Sequence, residues 1–152
     1  NGGGTTVYIQ EWLPYQTIEV NDLEIVLCRI RPLRSRPIII IGSVYRSPNN
    51  NSFKNTFVEF MDKTDFTNAE AYLLEDFNYL IKTSIGRDFT KLMNDLGYTQ
   101  LIKEDTCITQ TSSNLIDLIF TNSPHRVTQF GALNLSLSDH YMIFCNRTWQ
   151  AT

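Results

Sequence analysis

The chain has 152 residues, 42% of them apolar and 19% charged, which is the make-up of a globular domain with a core and excludes a disordered or collagenous chain. A formal charge of −3 argues against tight, non-specific nucleic-acid binding, for which basic modules are usual. No apolar run approaches the roughly 20 residues of a membrane-spanning helix, and the opening "NGGGTTVY" has neither the charged nor the apolar region of a signal peptide.

In chain order, "TTVYIQEWL" alternates apolar Val7 and Ile9 and reads as a strand. The glycines before it suit a tight bend and lack the Lys-Ser/Thr of a phosphate loop. "IEVNDLEIVLCRIR" predicts two short strands around an Asn-Asp turn. "PIIIIGSVYR" is a near-continuous isoleucine-rich run, the pattern of a central strand covered on both faces. "SPNNNS" is a turn, with Ser52 placed to cap a helix that carries Phe53, Phe57, Phe60 and Met61 at helical spacing. "AEAYLLEDFNYL" begins as a buried strand and then meets Asp76 and Asn78.

A second amphipathic helix follows in "SIGRDFTKLMNDLGY", with Ile85, Phe89, Leu92, Met93 and Leu96 expected inward and Gly97 as terminator. "NLIDLIFTN" is a strand interrupted by Asp117. "RVTQFGALNL" is an edge strand or a loop, and "HYMIFCNRTW" is the last strand. Strands and helices interleave, so the fold class is α/β or α+β, layered, with one domain over residues 1–152.

Four arginines, Arg29, Arg31, Arg34 and Arg36, fall within eight positions. They read as a solvated turn, with phosphate contact as the sharper alternative. Cys28, Cys107 and Cys145 share no close spacing and form neither a disulfide framework nor a Cys-x-x-Cys zinc motif. Core packing is expected of Cys28 and Cys145, and an intracellular, reducing compartment of the chain. The Asn50, Asn134 and Asn146 sequons then read as chance matches.

Polar groups sit at or near the ends of four apolar runs: Tyr45, then Asp76 with Asn78, then Asp117, then Asp139 with His140. Sites in layered α/β folds collect at strand ends. A buried carboxylate is costly unless it is paired or metal-bound. Asp76, Asp117 and Asp139 could take arginine, backbone amides or His140 as partners, or could share a hard divalent cation. Taken singly, each is more often a turn, cap or packing residue.

"GGGTTVYI", "IIIIGSVYRSPNN", "LLEDFNYL", "SSNLIDLIFTN" and "LSLSDHYMIF" occur in that order from Gly2 to about Trp149. As an ordered set they resemble the endonuclease/exonuclease/phosphatase superfamily, and within it the apurinic-type endonuclease domain of non-LTR retrotransposons. That resemblance implies a four-layer sandwich of two packed mixed β-sheets flanked by helices. It implies phosphodiester or phosphomonoester hydrolysis with Mg²⁺ or Mn²⁺. Asp76 would orient or deprotonate the attacking water, and Asn78 would hold the scissile phosphate. Asp139 and Asp76 would serve the metal, His140 would contact the phosphate, Asp117 would orient His140, and Tyr45 would hydrogen-bond a phosphate oxygen. All six are expected in one cleft.

The sequence departs from the group in places. The family places a strand with Asn and a strand with a metal-binding Glu upstream of the glycines. This chain opens at the glycines, with Asn1 and not Met, and is expected to be the C-terminal two-thirds of the domain. Glu75 stands where the group has Gly, Cys107 where it has Arg, and Ser47 where it has Pro. The expected function is therefore DNA nicking for a retroelement. An inactive truncated remnant of the same domain is the alternative, ahead of a phosphomonoesterase or sphingomyelinase. DNA is the expected partner, no membrane is expected, and a reverse transcriptase domain would accompany the full-length parent. A nuclear location follows if that parent works on chromosomes.

Overall fold

The computed structural model describes residues 4–32 and 37–148. Gly2, Gly3, Arg34, Arg36 and Trp149, which figured in the sequence reading, lie outside the described residues. The chain forms two compact units, Asn1–Asn78 and Tyr79–Thr152, and both mix strands with a helix.

In the first unit, β1 (Tyr15–Ile18) and β2 (Glu24–Ile30) form an antiparallel hairpin with Ile18 opposite Leu27. The loop between them turns at Asp22, whose φ of 65° is a left-handed conformation that Asp tolerates. β3 (Ile38–Tyr45) pairs antiparallel with β2 and parallel with β4 (Ala69–Asp76), giving the order β1-β2-β3-β4. Flanked on both edges, β3 buries Ile39, Ile40 and Val44, as its continuous apolar run predicts. A Cβ at Gly42 in its middle would lie 2.6 Å from Leu73 Cδ2 and 3.0 Å from Leu27 Cδ1, so a larger residue would need those leucine tips to shift.

The connection from β3 to the parallel β4 carries α1 (Phe53–Lys63), which buries Phe53, Phe57, Phe60 and Met61. The Phe57 ring lies 5.2 Å from Phe53, 5.5 Å from Phe60 and 6.2 Å from Phe77. Ser52 precedes the helix, but its side chain makes no cap hydrogen bond. Its hydroxyl donates to Asn50 Oδ1 at 2.9 Å, because its own backbone is already in the helical region. The expected strand over "TTVYIQEWL" is also corrected. Residues 5–10 are irregular, and Leu13 N–H closes a turn on Gln10 O at 2.9 Å. Alternation is not sufficient without a ladder partner, and among the described residues no strand pairs with this segment.

In the second unit, α2 (Ser84–Asp95) is capped by Thr83, whose hydroxyl accepts from Gly86 N–H. Its buried stripe is Gly86, Phe89 and Met93, with Leu92 and Leu96 half-buried. Ile85, expected inward, is 67% exposed. Gly86 presses on the Leu80 backbone instead, and the residue before it is turned about 100° away around the helix. Gly97 ends the helix at φ 84°.

β5 (Thr99–Gln100) pairs antiparallel with β8 (Asp117–Thr121), all five of whose residues are buried. β6 (Cys107–Ile108) and β7 (Ser113–Asn114) form a small hairpin that sequence patterning did not reveal. β9 (Val127–Leu133) is a strand rather than a loop, antiparallel to β10 (Met142–Arg147). Phe89 stacks on Tyr79 at 4.3 Å and meets Phe120 edge-on at 5.9 Å. Cys28 is buried and Cys145 half-buried. Among the described residues no helix is long and apolar enough to cross a membrane.

Candidate active site

In the first unit the polar residues gather where the parallel strands β3 and β4 end. Asp76 is the last residue of β4, and Asn78 follows at φ 49°, a left-handed position that Asn accepts. This bend returns Asn78 over the Asp76 carboxylate. Asn78 N–H donates to Asp76 Oδ1 and Asn78 Nδ2 to Asp76 Oδ2, each at 2.9 Å.

Arg46 links this turn to the end of β3. Its N–H donates to Asp76 O at 2.9 Å, its Nη1 donates to Asn78 O at 2.9 Å, and its own carbonyl accepts from Asn78 Nδ2 at 2.8 Å. Tyr45, the residue before it, closes β3 and is half-buried. Arg46 is a residue that sequence reasoning missed; the signal was a buried arginine directly after an apolar strand.

Glu75 precedes Asp76 at φ 104°, a conformation open to glycine and strained for any side chain. Its Oε2 accepts from Thr5 Oγ1 at 3.0 Å, and the same Thr5 hydroxyl meets Ser43 Oγ.

In the second unit Asp117 opens β8 and is 7% exposed. His140 Nδ1 lies 3.0 Å from both carboxylate oxygens of Asp117. An ionised carboxylate only accepts, so Nδ1 carries the hydrogen. Asp117 is itself held by Thr106, whose fully buried hydroxyl accepts from Asp117 N–H at 3.0 Å.

The loop bearing His140 is fastened to the β6 strand by two backbone bonds. Ile108 N–H donates to Asp139 O at 2.8 Å and Tyr141 N–H to Thr106 O at 2.6 Å. His140 thereby bridges to Cys107. Asp139 is exposed beside them, with Cys107 Sγ donating weakly to its Oδ2 at 4.0 Å.

Within its own unit, then, each half of the predicted set is assembled: Asp76 with Asn78, next to the strand end that carries Tyr45, and Asp117 with His140, next to Asp139. A cavity of 710 Å³ in the first unit, lined by Glu19, Arg29, Glu59 and Lys63 among others, touches none of these residues.

The family model described as endonuclease-reverse transcriptase matches residues 39–144, a stretch that contains all six predicted residues. Three solved structures share the fold. The endonuclease domain of TRAS1, a telomere-specific non-LTR retrotransposon, superposes with a TM-score of 0.70 at 18% identity, over 93% of this chain and 72% of that one. An endonuclease/exonuclease/phosphatase family protein from Leptotrichia buccalis gives 0.64 at 16% identity, over 82% of this chain. The chain spans about half, 53%, of that protein's length. TDP2 of D. rerio, complexed with a single-strand DNA product, gives 0.58 at 13% identity, over 88% and 66%. No curated protein matches the chain by sequence. The fold is the mixed α/β fold of the endonuclease/exonuclease/phosphatase proteins.

Proposed function

Because this chain belongs to the endonuclease-reverse transcriptase family, we propose that it is the DNA-nicking endonuclease domain of a non-LTR retrotransposon, hydrolysing a phosphodiester with Mg²⁺ or Mn²⁺. The observation that carries the reading is the His140–Asp117 pair, with Nδ1 3.0 Å from both carboxylate oxygens. A histidine oriented by a buried acid presents its other nitrogen in a fixed direction, as phosphate contact in hydrolysis requires.

The donor set suits a hard cation. Asp76 and Asp139 would offer carboxylate oxygens, the donors that a hard cation prefers. A bound divalent ion would supply stabilisation of the charge that develops on the phosphate. Asp76 would orient the attacking water and draw its proton. Asn78 would present its amide to the phosphate. His140, protonated on both ring nitrogens, would donate from Nε2 to a non-bridging oxygen while Asp117 holds the ring, and Tyr45 would donate its phenol. Arg46 fixes Asp76 and Asn78 relative to each other and is a positioning residue. The partners in this reading are DNA and a reverse transcriptase domain in the parent element. The place of action is intracellular, in the nucleus when the target is chromosomal.

One observation favours a catalytically silent copy instead. Glu75, at φ 104°, puts a strained non-glycine backbone directly before Asp76. Nicking of supercoiled plasmid with Mg²⁺ decides between the two. The enzyme reading expects relaxed circles with the wild type and background with Asp76→Ala and His140→Ala. Equal background from all three ends the catalytic assignment.

A further inference from the structure

The second unit brings together three metal-ligating side chains that hydrolysis does not use as a set. Ligand atoms of Cys107, Asp139 and His140 all lie within 4.8 Å of one another. We propose that Cys107, Asp139 and His140 form a site for a thiophilic divalent cation such as Zn²⁺.

The backbone holds the three in place before any ion arrives. Cys107 and His140 are bridge partners, and the bonds Ile108 N–H to Asp139 O and Tyr141 N–H to Thr106 O fasten the segments on both sides. Sequence spacing hides this site, because its cysteine is thirty-three positions from its histidine (140 − 107). The chemistry is that of a soft-to-borderline metal: one thiolate, one imidazole and one carboxylate.

Bond lengths of about 2.0–2.3 Å in a tetrahedron place ligand atoms roughly 3.3–3.6 Å apart. Cys107 Sγ and Asp139 Oδ2 are 4.0 Å apart, so a small rotation of the exposed Asp139 side chain closes the site. Asp117 on Nδ1 of His140 supplies the carboxylate–histidine arrangement that orients a metal-binding imidazole, whose Nε2 would be the ligand atom. Cys107 is buried and His140 half-exposed, so the ion reaches the thiol from the Asp139 side. On binding, the Cys107 proton passes to solvent and its sulfur lone pair forms the bond to the metal.

Binding stands apart from the nuclease reading; only its consequence for hydrolysis rests on that reading, since the ion would occupy Asp139 and His140. Titration of the reduced protein with Co²⁺, followed by absorbance, tests binding. One equivalent should raise a thiolate-to-cobalt charge-transfer band that Zn²⁺ then abolishes by displacement. Cys107→Ser should remove the band, Asp139→Asn should weaken Co²⁺ binding at least tenfold, and Cys28→Ser and Cys145→Ser should keep both band and affinity. A wild type without the band, or a band that survives Cys107→Ser, overturns the site. If the plasmid assay shows Mg²⁺-dependent nicking, Zn²⁺ should inhibit the wild type at least tenfold more strongly than Cys107→Ser. Equal inhibition would overturn the consequence and leave the spectroscopic result to decide binding.

Discussion

His140 Nδ1 sits 3.0 Å from both Oδ1 and Oδ2 of Asp117, a residue twenty-three positions earlier in the chain. The acid is nearly buried at the start of a strand whose five residues are all inaccessible. The ring is therefore held by an element that cannot move without disturbing the core. Asp117→Asn keeps the shape but replaces one acceptor oxygen with a donor. Under the nuclease reading it should lower the plasmid-nicking rate about 10–100-fold, the usual cost of disturbing an orienting carboxylate. Circular dichroism should show the fold retained. Nicking at the wild-type rate would remove the orienting role from Asp117.

Glu75 carries the opposite kind of information, a side chain where the backbone asks for none. Its φ of 104° costs about 1–3 kcal/mol for a non-glycine residue. Against this stands its bond from Thr5 Oγ1, worth about 0.5–1.5 kcal/mol net. Glu75→Gly should therefore raise unfolding stability by about 1 kcal/mol in urea melts, whereas Glu75→Ala, which keeps the strain and loses the bond, should lower it. A glycine variant no more stable than the alanine variant would contradict the strain.

Gly86 reverses the normal helix rule. Replacing glycine by alanine inside a helix ordinarily stabilises by about 1 kcal/mol. Here a Cβ would lie 2.1 Å from Leu80 O and 2.6 Å from Ile81 Cα, both backbone atoms that cannot step aside. Gly86→Ala should destabilise by about 1–3 kcal/mol through overpacking. Gly97→Ala, with open space around it but φ 84°, should destabilise through backbone strain alone. Thermal melts of the two variants separate the mechanisms, since only the first is rescued by mutations that shift the Leu80 turn.

Burial pushes the Tyr98 phenol up from its ordinary 10 to about 12. Below pH 10 the phenol is protonated in both folded and unfolded chains, and its contribution to stability is complete. Between pH 10 and 12 the unfolded chain ionises while the folded one holds its proton, so stability falls as pH rises. The loss levels off above the folded value. Allowing for partial screening, it should reach about 1–2 kcal/mol. Tyr98→Phe should flatten this part of the urea-stability profile relative to wild type; parallel profiles would refute the burial effect.

That a buried strand ends at Asp76 and Asn78 was legible in the letters, because an apolar run and the polar residues that close it are neighbours along the chain. The isoleucine run of β3 and the phenylalanine spacing of α1 were legible for the same local reason. Other features were misread where local pattern and long-range packing disagree. "TTVYIQEWL" alternates like a strand but has no strand partner among the described residues. Ile85 lies on the apolar side of its helix by composition, yet Gly86 takes the contact because the Leu80 backbone comes too close for anything larger.

By itself the sequence determined the two helices, the isoleucine-rich central strand, the residue types at the strand ends and the family those ordered motifs point to. Periodicity and motif spacing are properties of neighbours along the chain. Only the tertiary structure decided that Asp117 grips His140, that Cys107 stands beside Asp139 and His140, and that Glu75 occupies a backbone conformation suited to glycine. Those facts depend on strand register and loop closure, which bring together atoms that no local pattern of residues relates.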